Sequence, residues 1–339
     1  MSRSDRLPRL LLTIGDINGI GPEVLLKGLH GALVEYSFLP TIVGNSRLLR
    51  EYLERFPLPD ISVDSSEVRI DRYTVPIIDI PSDAILKPGT ETEEAGKLAG
   101  DAIRKGVSIL MEGNAEGLVT MPISKHGLNI GGYPWPGHTE MLADLSGENR
   151  PLMILASENL RVALVTIHVP ISQVASLITP ERLRESILDF HRALQQDFGR
   201  SSPRIAILGL NPHAGEEGSI GTEEVEIFRP VITRLQHDGL LLEGPFPADG
   251  FFARYRPGVY DGVLAAYHDQ GLIPLKMSAR GGGVNITAGL PLVRTSPDHG
   301  TGFDIAGNGI ADESSTVQAI AMALRIIANR KSHISEGDD

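Results

Sequence analysis

The stretch "GVLAAYHDQGLIPLK", residues 262–276, runs small and apolar from Gly262 to Ala266 and then breaks into His268, Asp269 and Gln270. A short apolar run of this kind reads as a buried β-strand whose carboxyl end opens on a polar loop. Two further stretches repeat the form. "RVALVTI" (161–167) ends at His168, and "RIAILGL" (204–210) reaches His213 across Asn-Pro. Other apolar runs, "RLLLTI", "TIVG" and "GLVTM", alternate with helix-like segments such as "GPEVLLKGLHGAL" and "ERLRESILDFHRALQQDFG". The alternation predicts an α/β fold built on a mainly parallel, doubly wound sheet.

At 339 residues the chain exceeds one typical domain, so one large α/β unit or two domains sharing a cleft is expected. The Gly/Pro-rich passages near 127–137 and 281–291 are the candidate breaks. A net charge of −12 opposes attraction to nucleic acid or an anionic membrane, so neither is expected as a partner. Any anionic substrate must then meet a local group of Lys and Arg. With no cysteine, disulfides, thiolate nucleophiles and Cys-type zinc sites are excluded, which fits a cytoplasmic protein. The opening "MSRSDRLPRLLLTIGD" has a basic front but only a short apolar run, and reads as a first strand rather than a signal peptide. No apolar segment approaches the roughly 20 residues that span a bilayer. The expectation is a soluble, unprocessed protein.

His168, His213 and His268 each follow the carboxyl end of a predicted strand. Ligands collect at that edge of an α/β sheet because the loops converge there on rigid supports. Taken singly, each imidazole could merely satisfy a loop carbonyl; taken together, they suggest one divalent metal ion, with zinc, cobalt, manganese and magnesium all admissible.

Polar residues of other types cluster in Gly-rich stretches. "TIGDINGIGPEVLLKGL" reads as strand, turn and helix with Pro22 at the first helical position, but its glycines do not match the G-x-G-x-x-G dinucleotide pattern. Asp16 and Asn18 of this turn would face the crevice. "PWPGHTEMLADL" sets His138 and Thr139 before a helix, where they suit an anion or polar substrate, or where Thr139 simply caps the helix. Lys276, Asn285 and Arg294 supply two positive charges and an amide in an acidic chain, a reasonable phosphate or carboxylate pocket, and the apolar neighbours of Lys276 argue against its lying at the surface. The passage "DHGTGFDIAGNGIAD" (298–312) sets glycines around Asp304, as in a nucleotide loop or a series of plain turns. Asp249 in "PADGFF" is a candidate proton acceptor or supporting partner, or the start of an Asx-turn.

Taken in order, "GDINGIGPE", "PGHTE", "HVPI", "GLNPHAGEEGSIGTEE", "PADGFF", "YHDQGLIPLK" and "VNITAGLPLVRTSPDHGTGFDIAG" resemble the signatures of the 4-hydroxythreonine-4-phosphate dehydrogenase family of vitamin B6 synthesis over nearly the whole chain. The resemblance implies an isopropylmalate-dehydrogenase-like fold. Two α/β/α domains, approximately 1–130 with 290–339 and 131–289, would flank an active-site cleft shared across a homodimer. It implies metal ligands His168, His213 and His268, the last from the partner subunit. Substrate contacts fall on His138, Thr139, Lys276, Asn285 and Arg294, with Lys276 and Asp249 as catalytic candidates. The cofactor NAD or NADP falls on the loop holding Asp298, His299, Gly300, Gly302, Asp304 and Gly307. The implied reaction oxidises the 3-hydroxyl of 4-phosphooxy-L-threonine to a β-keto acid that decarboxylates to 3-amino-2-oxopropyl phosphate. Phosphorylated four-carbon sugar acids, 4-phospho-D-threonate or 4-phospho-D-erythronate, are the alternative substrates. A metal-dependent phosphate-ester hydrolase or a phospho-ligand binder is the alternative of another class. One departure stands out: Ile17-Asn18 occupies the place of Pro-Ala in the family pattern.

Overall fold

A computed structural model describes residues 6–148, 150–279 and 281–336. The chain divides into two compact units, Met1–Pro151 with Leu290–Ile327, and Leu152–Gly289 with Ala328–Asp339. The first boundary therefore lies at 151/152 and not at 130/131. The physical reason is that the segment after residue 130 packs on the first unit. Tyr133 donates to Asp101 at 2.7 Å, and a Cβ on Gly131 would stand 2.4 Å from the Lys97 nitrogen.

The first unit opens with β1 (Arg9–Thr13), the helix α1 (Gly21–Glu35) with Pro22 in its first turn, β2 (Leu39–Gly44) and α2 (Ser46–Arg55). The short strands β3 (Ile61–Val63), β4 (Glu67–Ile70) and β5 (Tyr73–Asp79) follow. Then come α3 (Glu93–Met111), β6 (Gly117–Thr120), α4 (Lys125–Ile130) and α5 (His138–Ser146). Strand β13 (Val293–Pro297) returns to this sheet, whose order is β13-β6-β1-β2-β5-β4-β3. The first four pairings are parallel and the last two antiparallel. Leu10, Leu12, Ile42, Val43, Leu118 and Val119 form its buried centre, as near-continuous apolar strands covered on both faces must.

The second unit holds β7 (Leu152–Ala156), β8 (Arg161–Leu164), α6 (Ile171–Leu177), α7 (Pro180–Gln196) and β9 (Arg204–Leu208). It continues through α8 (Arg229–His237), β10 (Leu241–Phe246), α9 (Ala248–Ala253), β11 (Gly262–Ala265), α10 (His268–Ala279) and β12 (Val284–Ala288). The sheet order is β10-β9-β11-β8-β7-β12, parallel from β10 to β8 and antiparallel thereafter. Thr179 starts α7 by accepting the Arg182 amide at 3.2 Å, with Pro180 behind it. The last helix is α11 (Ser314–Glu336), whose first amide donates to the Asp312 carboxylate at 2.8 Å. Residues 331–336 continue this helix, and 337–339 lie outside the described residues. No helix among the described residues is long and apolar enough to cross a membrane.

Close helix packing in the first unit depends on Gly96, where an added Cβ would sit 1.8 Å from the Gly127 carbonyl oxygen. Since both partners are backbone, relief requires α3 and α4 to separate. Gly96→Ala is expected to lower stability by about 3 kcal/mol, read as a drop in the urea midpoint; an unchanged midpoint would show that α4 is not held there.

Candidate functional site

In the first unit, polar groups stand on β13, at the carboxyl end of β6, in the turn after β1 and at the start of α5. Arg294 lies on β13, only 1% exposed, and donates through Nε at 3.0 Å and Nη2 at 2.7 Å to the Thr120 hydroxyl at the end of β6. Burial pulls its pKa down to about 9, which leaves it charged at neutral pH. His138 is the first residue of α5. Its Nε2 is shielded from solvent and has no hydrogen-bond partner, and burial, followed by the positive charges of Arg294 and Lys125, holds its pKa well below the usual imidazole range. Thr139 is not the cap of α5, because the capping position belongs to Gly137 and no side chain caps that end. Its hydroxyl lies in the first helical turn, beside amides pointing out of the helix. A neutral imidazole, a buried guanidinium, Lys125 and a helix amino terminus together form a place where an anion is favoured.

Asp16 and Asn18 occupy the turn after β1, both essentially buried. Asn18 is occupied structurally: its Oδ1 accepts the Lys87 amide at 2.7 Å, and its carbonyl accepts the Gly89 amide at 2.8 Å. The departure from Pro-Ala thus ties the first turn to residues 87–89, a role an alanine side chain cannot take. Asp16 Oδ1 accepts the Asn18 amide at 2.9 Å, while Oδ2 is buried with no partner. Burial, reinforced by nearby Glu91 and opposed by the Asn18 amide, raises its pKa to about 6.

The loop after β13 carries Asp298, His299, Gly300, Gly302, Asp304 and Gly307. It is clamped to α1. Fully buried Glu23 accepts the Ala311 amide at 2.9 Å and Lys27 at 2.6 Å, and Lys27 also donates to the Gly309 carbonyl at 2.9 Å. The Ile20 amide meets the Thr301 carbonyl at 2.8 Å. Between these ties Gly300 and Asp304 are exposed, and His299 Nε2 is buried without a partner. Gly307 has φ +80° and would press a Cβ to 2.8 Å from the Phe56 ring.

In the second unit, His168, His213 and His268 emerge beyond β8, β9 and β11, three neighbours in the sheet. The rings of His168 and His268 stand 5.6 Å apart between centroids, within one chain. His268 shares its Nδ1 with Asp269 at 2.7 Å, which leaves Nε2 to face outward. His213 is not gathered with them, and among the described residues no three His, Asp or Glu side chains stand close enough to hold a metal ion together. The chemistry of the donors, imidazoles throughout, suits a divalent ion, with two rings together and the third one strand over. The resemblance assigns His268 to the site of the partner subunit.

The loop holding His213 is a left-handed turn. Residues 213–217 have φ of 53°, 49°, 77°, 43° and 54°, a conformation that costs L-residues about 1–2 kcal/mol each. What fixes it is fully buried Glu224, which accepts the Asn211 amide at 2.7 Å and the Asn211 side chain at 2.9 Å. Asp249, exposed in the first turn of α9, lines with His213 and the Phe246, Phe251 and Tyr260 rings a groove of about 570 Å³. Asn285, on β12 opposite Leu155, has a buried Oδ1 with no partner. Lys276 corrects an expectation. It is exposed on α10 beside Ile273 and Met277, exposed at 59% and 77%, so its apolar neighbours do not bury it. Thr120 and Glu224 were given no role from the sequence, although each lies inside a quoted stretch, and Gln270 was read only as part of the polar break after Ala266.

Comparison with known proteins then decides the family. The family described as "Pyridoxal phosphate biosynthetic protein PdxA" matches residues 37–323. The chain belongs to this family. A 4-hydroxythreonine-4-phosphate dehydrogenase of Prosthecochloris aestuarii is 44% identical over 329 residues, 94% of this chain and 97% of the relative. One of Bacteroides thetaiotaomicron is 41% identical over 95% of this chain and 90% of its own length. The crystal structure of a 4-hydroxythreonine-4-phosphate dehydrogenase from Klebsiella pneumoniae matches with a TM-score of 0.80 at 36% identity, covering 95% of this chain and 98% of that one. The mainly parallel α/β fold read from the PdxA-family sequence is the one observed.

The unpartnered Asp16 oxygen makes a pH prediction. The folded pKa of about 6 exceeds the ordinary value of 3.8, so between these values the folded chain holds a proton that the unfolded chain has lost. Stability from this group is therefore present below 3.8 and declines as pH rises through about 6. Asp16→Asn keeps the acceptor for the Asn18 amide and should stabilise the protein at pH 7 by on the order of 2–3 kcal/mol, with the gain vanishing near pH 4. A gain of equal size at both pH values in thermal melts would contradict this origin.

Proposed function

We propose that this chain is an NAD(P)-dependent 4-hydroxythreonine-4-phosphate dehydrogenase. It removes hydride from carbon 3 of 4-phosphooxy-L-threonine, leaving a ketone β to the carboxylate, and loss of carbon dioxide gives 3-amino-2-oxopropyl phosphate. The single observation carrying this reading is full-length similarity at 41–44% identity to relatives of that name, with anion-binding chemistry at the equivalent motifs. Arg294, His138 and Thr139 take the charged ends of the substrate. His138, held neutral, donates or accepts one hydrogen bond without repelling Arg294 further. Lys276, exposed on α10, meets developing negative charge, Asn285 Oδ1 accepts from a substrate donor, and Asp249 takes a proton or steadies His213. His168, His213 and His268 would hold a divalent ion, which when bound would supply Lewis acidity toward the substrate alcohol. Asp298, His299, Gly300, Gly302, Asp304 and Gly307 hold the adenosine side of the cofactor. The protein works as a homodimer with shared sites.

The deciding experiment supplies 4-phosphooxy-L-threonine, 4-phospho-D-threonate and 4-phospho-D-erythronate with NAD⁺ or NADP⁺ and a divalent ion. Reduced nicotinamide and carbon dioxide are expected in equal amounts from the first substrate. Preference for a sugar acid would move the reading to that substrate, and release of inorganic phosphate without cofactor reduction would make the protein a hydrolase.

Two substitutions separate the proposed roles. Arg294→Lys loses the fork on Thr120 and the planar donor set, and should lower kcat/KM by about 10²–10³, mostly through KM for the phosphorylated substrate. Asp304→Ala should weaken nicotinamide binding in fluorescence titration and leave the affinity for the phosphorylated substrate as it was. The reverse pattern would exchange the two assignments.

A further inference from the structure

In an Asn-Gly pair the glycine nitrogen can reach the carboxamide carbon of the asparagine and close an unstrained imide ring, because no Cβ on the glycine blocks the approach. This reaction is one reason asparagine is a thermolabile residue. The chain contains two such pairs, Asn18-Gly19 and Asn308-Gly309. Both lie in the first unit, and the fold treats them in opposite ways.

Asn18 is fully buried, its Oδ1 accepting the Lys87 amide at 2.7 Å and its Nδ2 lying 3.5 Å from the Thr92 hydroxyl. The Gly19 amide donates to the Asp16 carbonyl at 3.1 Å. Neither reacting group can turn toward the other unless this turn opens. The second pair lies in the loop after β13, with Asn308 and Gly309 both exposed. Here the backbone is tied on either side, since the Asn308 amide donates to the Ile305 carbonyl at 3.1 Å and the Gly309 carbonyl accepts Lys27 at 2.9 Å. The two groups that must meet are free: among the described residues neither the Asn308 carboxamide nor the Gly309 nitrogen has a hydrogen-bond partner. Gly309 has φ +72°, and nothing stands within 4 Å of the place a Cβ would take.

We propose that Asn308 is a site of spontaneous covalent modification, at which the chain converts its own asparagine to aspartate and isoaspartate. The Gly309 N–H gives its proton to solvent, the nitrogen bonds to Cγ of Asn308, and the bond from Cγ to the side-chain nitrogen breaks, releasing ammonia. Water then adds to one of the two imide carbonyls and the ring opens there. One water is consumed for each ammonia released, and nothing is oxidised or reduced. The step needs no cofactor and does not depend on reading this loop as a cofactor site. Opening at the main-chain carbonyl leaves the chain running through the side-chain carbon, one carbon longer. That carbon enters just before the points where α1 holds the loop, the Gly309 carbonyl on Lys27 and the buried Ala311 amide on Glu23 at 2.9 Å. The Ala311 bond is the one that loosens.

The test incubates the full-length protein at neutral pH and physiological temperature and maps its peptides over time by mass spectrometry, with fragmentation that separates aspartate from isoaspartate. A parallel sample is held unfolded in urea, and hydrogen–deuterium exchange at Ala311 is read on fresh and aged protein. In the folded chain the Asn308 peptide is expected to gain the mass of oxygen replacing NH, while Asn18, which must wait for local opening, reacts about tenfold or more slowly. In urea the two should react at similar rates. Aged parent should exchange faster at Ala311, and aged Asn308→Gln, whose longer side chain closes its imide ring far less readily, should not. If folded Asn308 survives as long as folded Asn18 while the unfolded chain loses both, the site is wrong. If Asn308 is converted and Ala311 exchanges as before, the effect on the clamp is wrong.

Discussion

Parallel strands stop bonding to one another at their carboxyl ends, and the peptide groups left there must be met by something other than the next strand. Both sheets of this protein answer that constraint with side-chain amides. In the first unit Asn18 accepts the Lys87 amide and fixes the turn after β1. In the second, Gln270 links Ala266 to Gly209. Each amide lies two residues from an ionisable group at the ligand-facing edge, Asp16 in one case and His268 in the other. The ligand-facing edge is thus also the edge where backbone polarity is left over, and the same loops serve both needs.

That coincidence explains why the fold was legible and the site only partly so. The buried strands β1, β2, β6, β8, β9 and β11 are continuous apolar runs, and the sequence pattern finds them directly. The strand β12 and the strands β3, β4 and β5 escape because their short or mixed patterns do not separate them from loops. Arg294 illustrates the difficulty. It reads as one charge in a Gly-rich passage, yet it lies buried on β13, held by Thr120, because every residue of that strand is buried whatever its polarity. Lys276 fails in the opposite direction. Apolar neighbours in sequence do not bury a residue when the helix itself exposes Ile273 and Met277. The histidines were found because each follows a readable strand, but the left-handed turn that carries His213 has no local signature beyond Gly215, since its cause is Glu224, several residues later.

Charge follows the same division between sum and place. The chain carries −12, yet the groups around His138 are Arg294 and Lys125, and burial, with their field added to it, keeps that imidazole neutral. An anion arriving there relieves a cost already present in the folded chain, and its attraction is felt at close range, where burial weakens screening. Specificity for a phosphorylated substrate then needs no basic surface, and an acidic exterior helps to keep other polyanions away.

Buried polar atoms without partners are the remaining sign of a ligand. Asp16 Oδ2, His138 Nε2, Asn285 Oδ1 and His299 Nε2 are each shielded and unbonded. Leaving such a group unmet costs about 1–3 kcal/mol, and native proteins keep few of them. Elsewhere the chain shows that it can satisfy buried carboxylates fully, as Glu23 and Glu224 do with backbone amides and side chains. All four belong to residues on motifs that resemble those of the family. A chain able to satisfy Glu23 and Glu224 yet leaving these four open keeps unmet polar capacity at residues of the proposed site.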